Sequence, residues 1–229
     1  MLGELTELLA TVPPDAARED YAAAIVEENA LGKPTWVTRD VSRKYLTNLY
    51  GLDPGLPLFR VLRRLWDADP PGRPLVALLC TLARDPLFRS TAAHVLSLGE
   101  GEELLRAPFS AVIRGAVGRR FNDSVLESVV SRAASSWTQS GHLEGRMRKV
   151  RRRVAPTPGA VAMALWLGEL QGFAGLSLLD SDWAAVLDRV GSEMLSLALE
   201  ARRHGLIRAC AAGNVVEIDT HRLDPAVER

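Results

Sequence analysis

The chain has 229 residues, 47% hydrophobic and 24% charged, which excludes a disordered, collagen-like or disulfide-stapled protein and leaves a soluble globular one. Lysine and arginine together number 28 and so do aspartate and glutamate, so no whole-molecule field announces a nucleic acid or a membrane, and any charge argument is local. Cys80 and Cys210 stand alone, far apart and without a neighbour at metal-ligand spacing, which fits a reducing cytoplasm. The acidic first twenty residues lack the basic n-region of a signal peptide, so a cytoplasmic location is expected.

Apolar residues repeat at three and four along nearly all of the chain before residue 206, so its body is predicted to be helical. The first helix is expected over residues 2–10, closed by Pro13 and Pro14, and the second over 15–29 with Ala22, Ile25 and Val26 on one face. Seven acids against Arg18 make residues 1–32 strongly negative. Thr38 is expected to cap a third helix running to Tyr50, with Val41, Tyr45 and Leu49 on the buried face and Arg39, Arg43, Lys44 and Asn48 on the other. Further helices are predicted over 56–66, 74–83, 86–98, 108–119 and 123–139. Asp85 before Pro86, and Ser124 with Glu127, are the start signals.

Residues 142–154 change character: Arg146, Arg148, Lys149, Arg151, Arg152 and Arg153 face only Glu144 within thirteen residues. Pro156 and Pro158 mark a boundary before a helix near Gly159. The apolar run over 160–179 is long enough for a membrane span, but Glu169, Gln171, Gly168, Gly172 and Gly175 interrupt it, and a buried core helix is the preferred reading. A short helix around Trp183, a longer one ending at His204 and Gly205, and a β-hairpin turning at Gly213 and Asn214 complete the chain. That order of helices and hairpin is the order of a winged-helix unit. The expected architecture is therefore mainly α and multi-helical. A helical N-terminal unit over 1–154 is followed by a winged-helix-like unit over 155–229 that ends in the β-hairpin.

No catalytic constellation emerges. His94, His142, His204 and His221 lie in no serine, cysteine or aspartate context, and no glycine-rich stretch has the spacing of a phosphate cradle. Cys210, His204 and His221 make at most three scattered zinc ligands. Neither enzymatic activity nor a cofactor is expected. The basic cluster is different: six cations in eight residues repel one another without a partner, and duplex phosphates or acids of the same protein can supply it. The basic face of the third helix is a second candidate, because Asn and Arg read base edges in a major groove. In the winged unit the last helix carries Glu193 and Glu200, which suits packing better than groove reading and leaves Arg208 and Arg222 as phosphate contacts.

Several segments give the chain a family likeness. They are Glu28-Asn29-Ala30-Leu31 at a helix end, Thr38-Arg39-Asp40-Val41-Ser42-Arg43, Trp137 before the basic stretch, Leu178-Leu179 leading to Trp183, and Gly205-Leu206-Ile207 before the hairpin. In this pattern, over residues 22–222, the sequence resembles the BrxA family of bacterial BREX phage-defence systems. The resemblance implies a helical protein with winged-helix-like parts and a core similar to NusB-type RNA-binding domains. It also implies no catalysis and a DNA-binding accessory role beside larger defence proteins, and it transfers no binding residue. The expected function is thus duplex DNA binding through Arg146, Arg148, Lys149, Arg151, Arg152 and Arg153, with Arg39, Arg43, Lys44 and Asn48 as a second surface. A protein-interaction scaffold and an RNA-binding helical domain are the alternatives.

Overall fold

Buried leucines at three and four spacing nucleate the first layer of the fold. In this computed structural model, which describes residues 1–213 and 215–226, α1 (Leu2–Thr11) buries Leu5, Leu8 and Leu9, and α2 (Arg18–Val26) buries Tyr21, Ala24 and Ile25. The second helix is shorter than expected at both ends. Its chain leaves the helix at Glu27, and Asn29, at φ 56, accepts the Lys33 amide through its side-chain oxygen in a tight turn.

α3 (Trp36–Tyr50) is capped three residues earlier than expected: Thr35 accepts the Thr38 amide and Thr38 accepts the Thr35 amide in return, a reciprocal box. Its buried residues are Ser42, Leu46 and Tyr50, while Val41 and Tyr45 are exposed. This corrects the expected face by one position, a rotation of about 100°. Two adjacent stripes satisfied helical spacing, and the winning one places Ser42 against Glu4, whose carboxylate it meets at 3.3 Å.

α4 (Pro57–Ala68) and α5 (Arg73–Arg84) pack on each other across the 3₁₀ turn Pro70–Gly72. The single helix expected over 86–98 is two. Asp85 caps α6 (Pro86–Arg89) by accepting the Leu87 and Phe88 amides, and Thr91 then redirects the chain into α7 (Ala92–Ser97). α8 (Arg106–Val117) and α9 (Asp123–Gln139) form an antiparallel pair, and α9 is capped by Asn122 rather than Ser124.

One element went unanticipated: β1 (Leu143–Glu144) and β2 (Val150–Arg151) form an antiparallel hairpin inside the basic segment. α10 (Pro158–Leu170) follows, its residues 159–168 all buried, and it touches α4 and α5 on one side and the last helices on the other. The apolar run stops there, because residues 171–175 turn through Gly172 and Gly175 into α11 (Leu176–Leu179). No helix among the described residues is long and apolar enough to cross a membrane. α12 (Asp182–Val186), capped by Ser181, and α13 (Gly191–Arg203) lead into the hairpin β3 (Arg208–Ala212) and β4 (Val215–Asp219). Its expected turn residue Asn214 lies outside the described residues, as do 227–229.

The protein is mainly helical with a small antiparallel hairpin at the C-terminal end. One connected cluster of buried side chains runs from Leu5 to Leu223, with α10 at its centre. Residues 154 and 155 lie in the connection between β2 and α10. Asp69 fixes the start of α10 by accepting the Gly159 amide at 2.7 Å, and a Cβ on Gly159 or Gly72 would collide with that carboxylate. The C-terminal segment is clamped by Arg60 of α4, whose guanidinium donates to both oxygens of Asp224 at 2.9 and 2.8 Å.

Candidate nucleic-acid interface

Apolar anchors and a glycine turn the basic segment into a hairpin. Leu143 is buried, Gly145 adopts φ 105, and a Cβ at Gly145 would lie 2.0 Å from the Arg148 carbonyl oxygen, so only glycine closes this turn. The Lys149 ammonium donates to Thr138 Oγ1 at 2.8 Å and to the Gly145 carbonyl at 3.3 Å, tying the loop to itself and to the end of α9. Residues 101–104 run along the other edge of β2: the Gly101 amide donates to the Arg151 carbonyl, the Arg151 amide to the Glu102 carbonyl, and the Leu104 amide to the Lys149 carbonyl.

The six cations then divide by what they touch. Arg151 is 2% exposed, and its guanidinium pairs with Asp188, itself 9% exposed, and donates to the carbonyls of His142 and Arg152. Arg151 therefore does not reach the surface, and the expectation that it contacts phosphate is corrected: alternation in β2 turns it inward. Arg148 donates from Nε to Glu103 at 2.7 Å, and Arg152 from Nε to Glu144 at 2.6 Å, yet their side chains stay 72% and 49% exposed. Exposed pairs of this kind contribute about 0–1 kcal/mol and are screened by salt. Arg146 and Arg153 are exposed and have no hydrogen-bond or ion-pair partner among the described residues. Between Arg146 and Arg148, at the tip, Met147 is 95% exposed. Glu100, Glu102, Glu103 and Glu144 flank the hairpin base, so its positive field concentrates on the tip and on Arg153.

Beneath the hairpin lies a buried polar knot. His142 is fully buried, with Nδ1 2.8 Å from Ser140 Oγ and Nε2 2.7 Å from the Val186 carbonyl. That carbonyl only accepts, so the imidazole carries its proton on Nε2, and its Nδ1 shares the single Ser140 hydroxyl proton with the Trp137 carbonyl, 3.0 Å from Ser140 Oγ. Burial lowers the His142 pKa from 6.5 to about 4, opposed by the Val186 hydrogen bond and the Asp188 charge. Asp188, at φ 57, holds both Arg151 and the Val154 amide, the latter at 2.9 Å. His142 is wholly enclosed, and through Asp188 and Arg151 the knot supports the hairpin.

The second expected surface is arranged differently. Arg39 donates to the carbonyls of Lys33 and Val26 and closes the loop before α3. Arg43 and Lys44 both pair with Asp40, at 2.7 and 2.8 Å, and these hydrogen bonds, that of Lys44 first, hold the Asp40 carboxyl below its ordinary pKa. Lys44 and Asn48 remain exposed, beside Trp36, Val37, Val41 and Tyr45. Arg132 of α9 stacks on the Tyr45 ring at 5.4 Å, whereas the hairpin is tied to Thr138. Six residues on one helix rotate those two attachment points about 120° apart, so α3 and the hairpin sit on different sides of α9.

No protein-family model, curated protein or solved structure matches this chain. Toward the C-terminal end, α13 exposes Ser192, Glu193, Ser196 and Glu200, an acidic face, and Arg208 pairs loosely with Asp219 at 3.7 Å. Arg222 is exposed beside it. Among the described residues no three His, Cys, Asp or Glu side chains converge as a metal site. Cys80 is fully buried, which pushes its thiol up to about 12, far from a reactive thiolate. Sequence reasoning missed the β1–β2 hairpin and with it the exposed tip. The signals were there in Leu143 and Val150, two apolar residues either side of a glycine-containing loop.

Proposed function

We propose that this chain is a non-enzymatic accessory protein that binds duplex DNA, chiefly through phosphate contacts made by the β1–β2 hairpin. Its resemblance to the BrxA family gives other phage-defence proteins as its partners. What carries the reading is the hairpin tip. A preorganised loop presents Arg146 and Arg148 at its tip, and Arg152 and Arg153 are exposed where β2 leaves the base of the hairpin, on a molecule of zero net charge. A phosphate outcompetes the weak Glu103 and Glu144 pairs because it offers a full charge and displaces condensed counterions. Arg151 takes no part in the contact and holds the hairpin from beneath. Sequence selectivity is low, since phosphate contacts carry no base information.

Titrating a labelled random duplex of roughly 20–30 base pairs, long enough for several phosphate contacts, with the purified protein by fluorescence anisotropy tests this. Binding that weakens with salt supports it, and absence of binding at low salt refutes it. Stronger competition by single-stranded RNA than by duplex DNA favours the RNA-binding alternative. The scaffold alternative draws on α3, where exposed Trp36, Val37, Val41 and Tyr45 form an apolar stripe beside Lys44. Such a stripe suits a protein partner better than a phosphate backbone. Polar substitution of Trp36 and Val41 separates the two readings, because it leaves hairpin-borne DNA affinity unchanged.

A further inference from the structure

Met147 is the most exposed large apolar side chain of the described residues, and it stands at the tip of a two-stranded hairpin between two arginines. Its loop is not slack. Gly145 closes it with a backbone conformation that no other residue accommodates, and Lys149 bonds across it to the Gly145 carbonyl and to Thr138 of α9. A rigid loop that holds an unbranched apolar side chain in water between two cations has the composition of a DNA wedge. Arginines are drawn to the enhanced negative potential of a narrow minor groove, and an apolar side chain between them enters a base step and unstacks it.

We infer that Met147 is a minor-groove wedge: it inserts at a base step while Arg146 and Arg148 grip the phosphates or groove walls on either side, and the duplex kinks toward its major groove. The inference rests on the DNA-binding reading above and deepens it by naming what the tip does to the duplex. Flexible pyrimidine–purine steps, TA above all, are the preferred points of insertion because they unstack at least cost. This would give a protein with few base contacts a preference for deformable sequence. The hairpin is too short to fill a major groove, whose width of about 12 Å admits a helix or a full β-ribbon, whereas a single side chain and its neighbours fit the narrower groove.

The test uses the full chain and a duplex carrying a central TA step, with dyes at its ends for energy transfer and 2-aminopurine at the step. Wild-type protein is expected to bend the duplex by roughly 20° or more and to raise 2-aminopurine fluorescence as the base unstacks. Met147→Ala is expected to bind but to leave the duplex straight and the probe quenched, and Met147→Leu to restore both signals. Arg146→Ala/Arg148→Ala is expected to weaken binding by roughly tenfold, through loss of phosphate contacts. Binding by the wild type without bending or unstacking overturns the wedge and leaves the DNA reading standing, as does bending by Met147→Ala equal to the wild type. No binding by the wild type overturns both.

Discussion

Replacing Arg151 with Met removes one member of a buried ion pair and tests whether that arginine belongs to the fold or to the interface. The variant leaves the Asp188 carboxylate almost wholly buried, with the Val154 amide at 2.9 Å as its remaining donor. An uncompensated buried charge of this kind costs about 3–5 kcal/mol, a large part of the roughly 5–15 kcal/mol that a protein of ordinary stability possesses. Asp188→Asn is expected to cost a similar amount, since the Arg151 guanidinium then keeps only carbonyl partners. The double variant Arg151→Met/Asp188→Asn is the informative one. Asn tolerates the left-handed backbone at this position and still accepts the Val154 amide, so no charge is stranded and most of the stability returns. Urea unfolding of the wild type, both single variants and the double variant gives the coupling directly. A coupling of about 2 kcal/mol or more is expected, little changed by salt because the pair is dry. A stability loss below about 1 kcal/mol in Arg151→Met, the size typical of an exposed pair, would refute the assignment.

Three further outcomes follow from the geometry. The folded pKa of His142 lies below its unfolded value, so its contribution is fully present above about 6.5 and is lost as pH falls toward 4; this amounts to at most about 3 kcal/mol. Unfolding free energy measured from pH 7 to 4 should therefore drop less steeply in His142→Gln than in the wild type. Gly145→Ala forces a Cβ onto the Arg148 carbonyl and should cost roughly 1–3 kcal/mol or rearrange the turn. Its signature is loss of DNA affinity with the helical circular dichroism intact. Trp36→Ser/Val41→Ser, on the exposed face of α3, should change stability by no more than about 0.5 kcal/mol per site and leave duplex affinity unaltered; a fall in that affinity would place α3 in the interface.

Much of the helical framework was legible in the sequence because prolines, glycines and short polar caps punctuate it. α9 and α13 end where their patterns stop, and Asp85 caps α6 as its place before Pro86 suggests. Two kinds of feature escaped. On α3 the expected stripe of Val41, Tyr45 and Leu49 was the more apolar, since the buried one begins with Ser42, so periodicity chose the wrong face and tertiary packing on Glu4 and the neighbouring helices decided. Where a helix was broken by local bonding, as at Thr91, the apolar pattern ran on regardless. The basic cluster shows the same limit. Its charge was plain, but the inward turn of Arg151 depends on a strand register, and the carboxylates that engage Arg148 and Arg151 come from residues about 40 positions away. Only tertiary structure separates the support of this site from its exposed cations.

The most direct test of the account is the salt dependence of duplex affinity for the wild type and for Arg146→Ala/Arg148→Ala/Arg153→Ala. If the hairpin tip and Arg153 make the phosphate contacts, the wild-type slope of log K against log salt should be about −3 to −4, and the triple variant's should be shallower by about 2–3, close to one per lost contact. A wild-type protein that does not bind at low salt, or a triple variant whose slope and affinity equal those of the wild type, would contradict it.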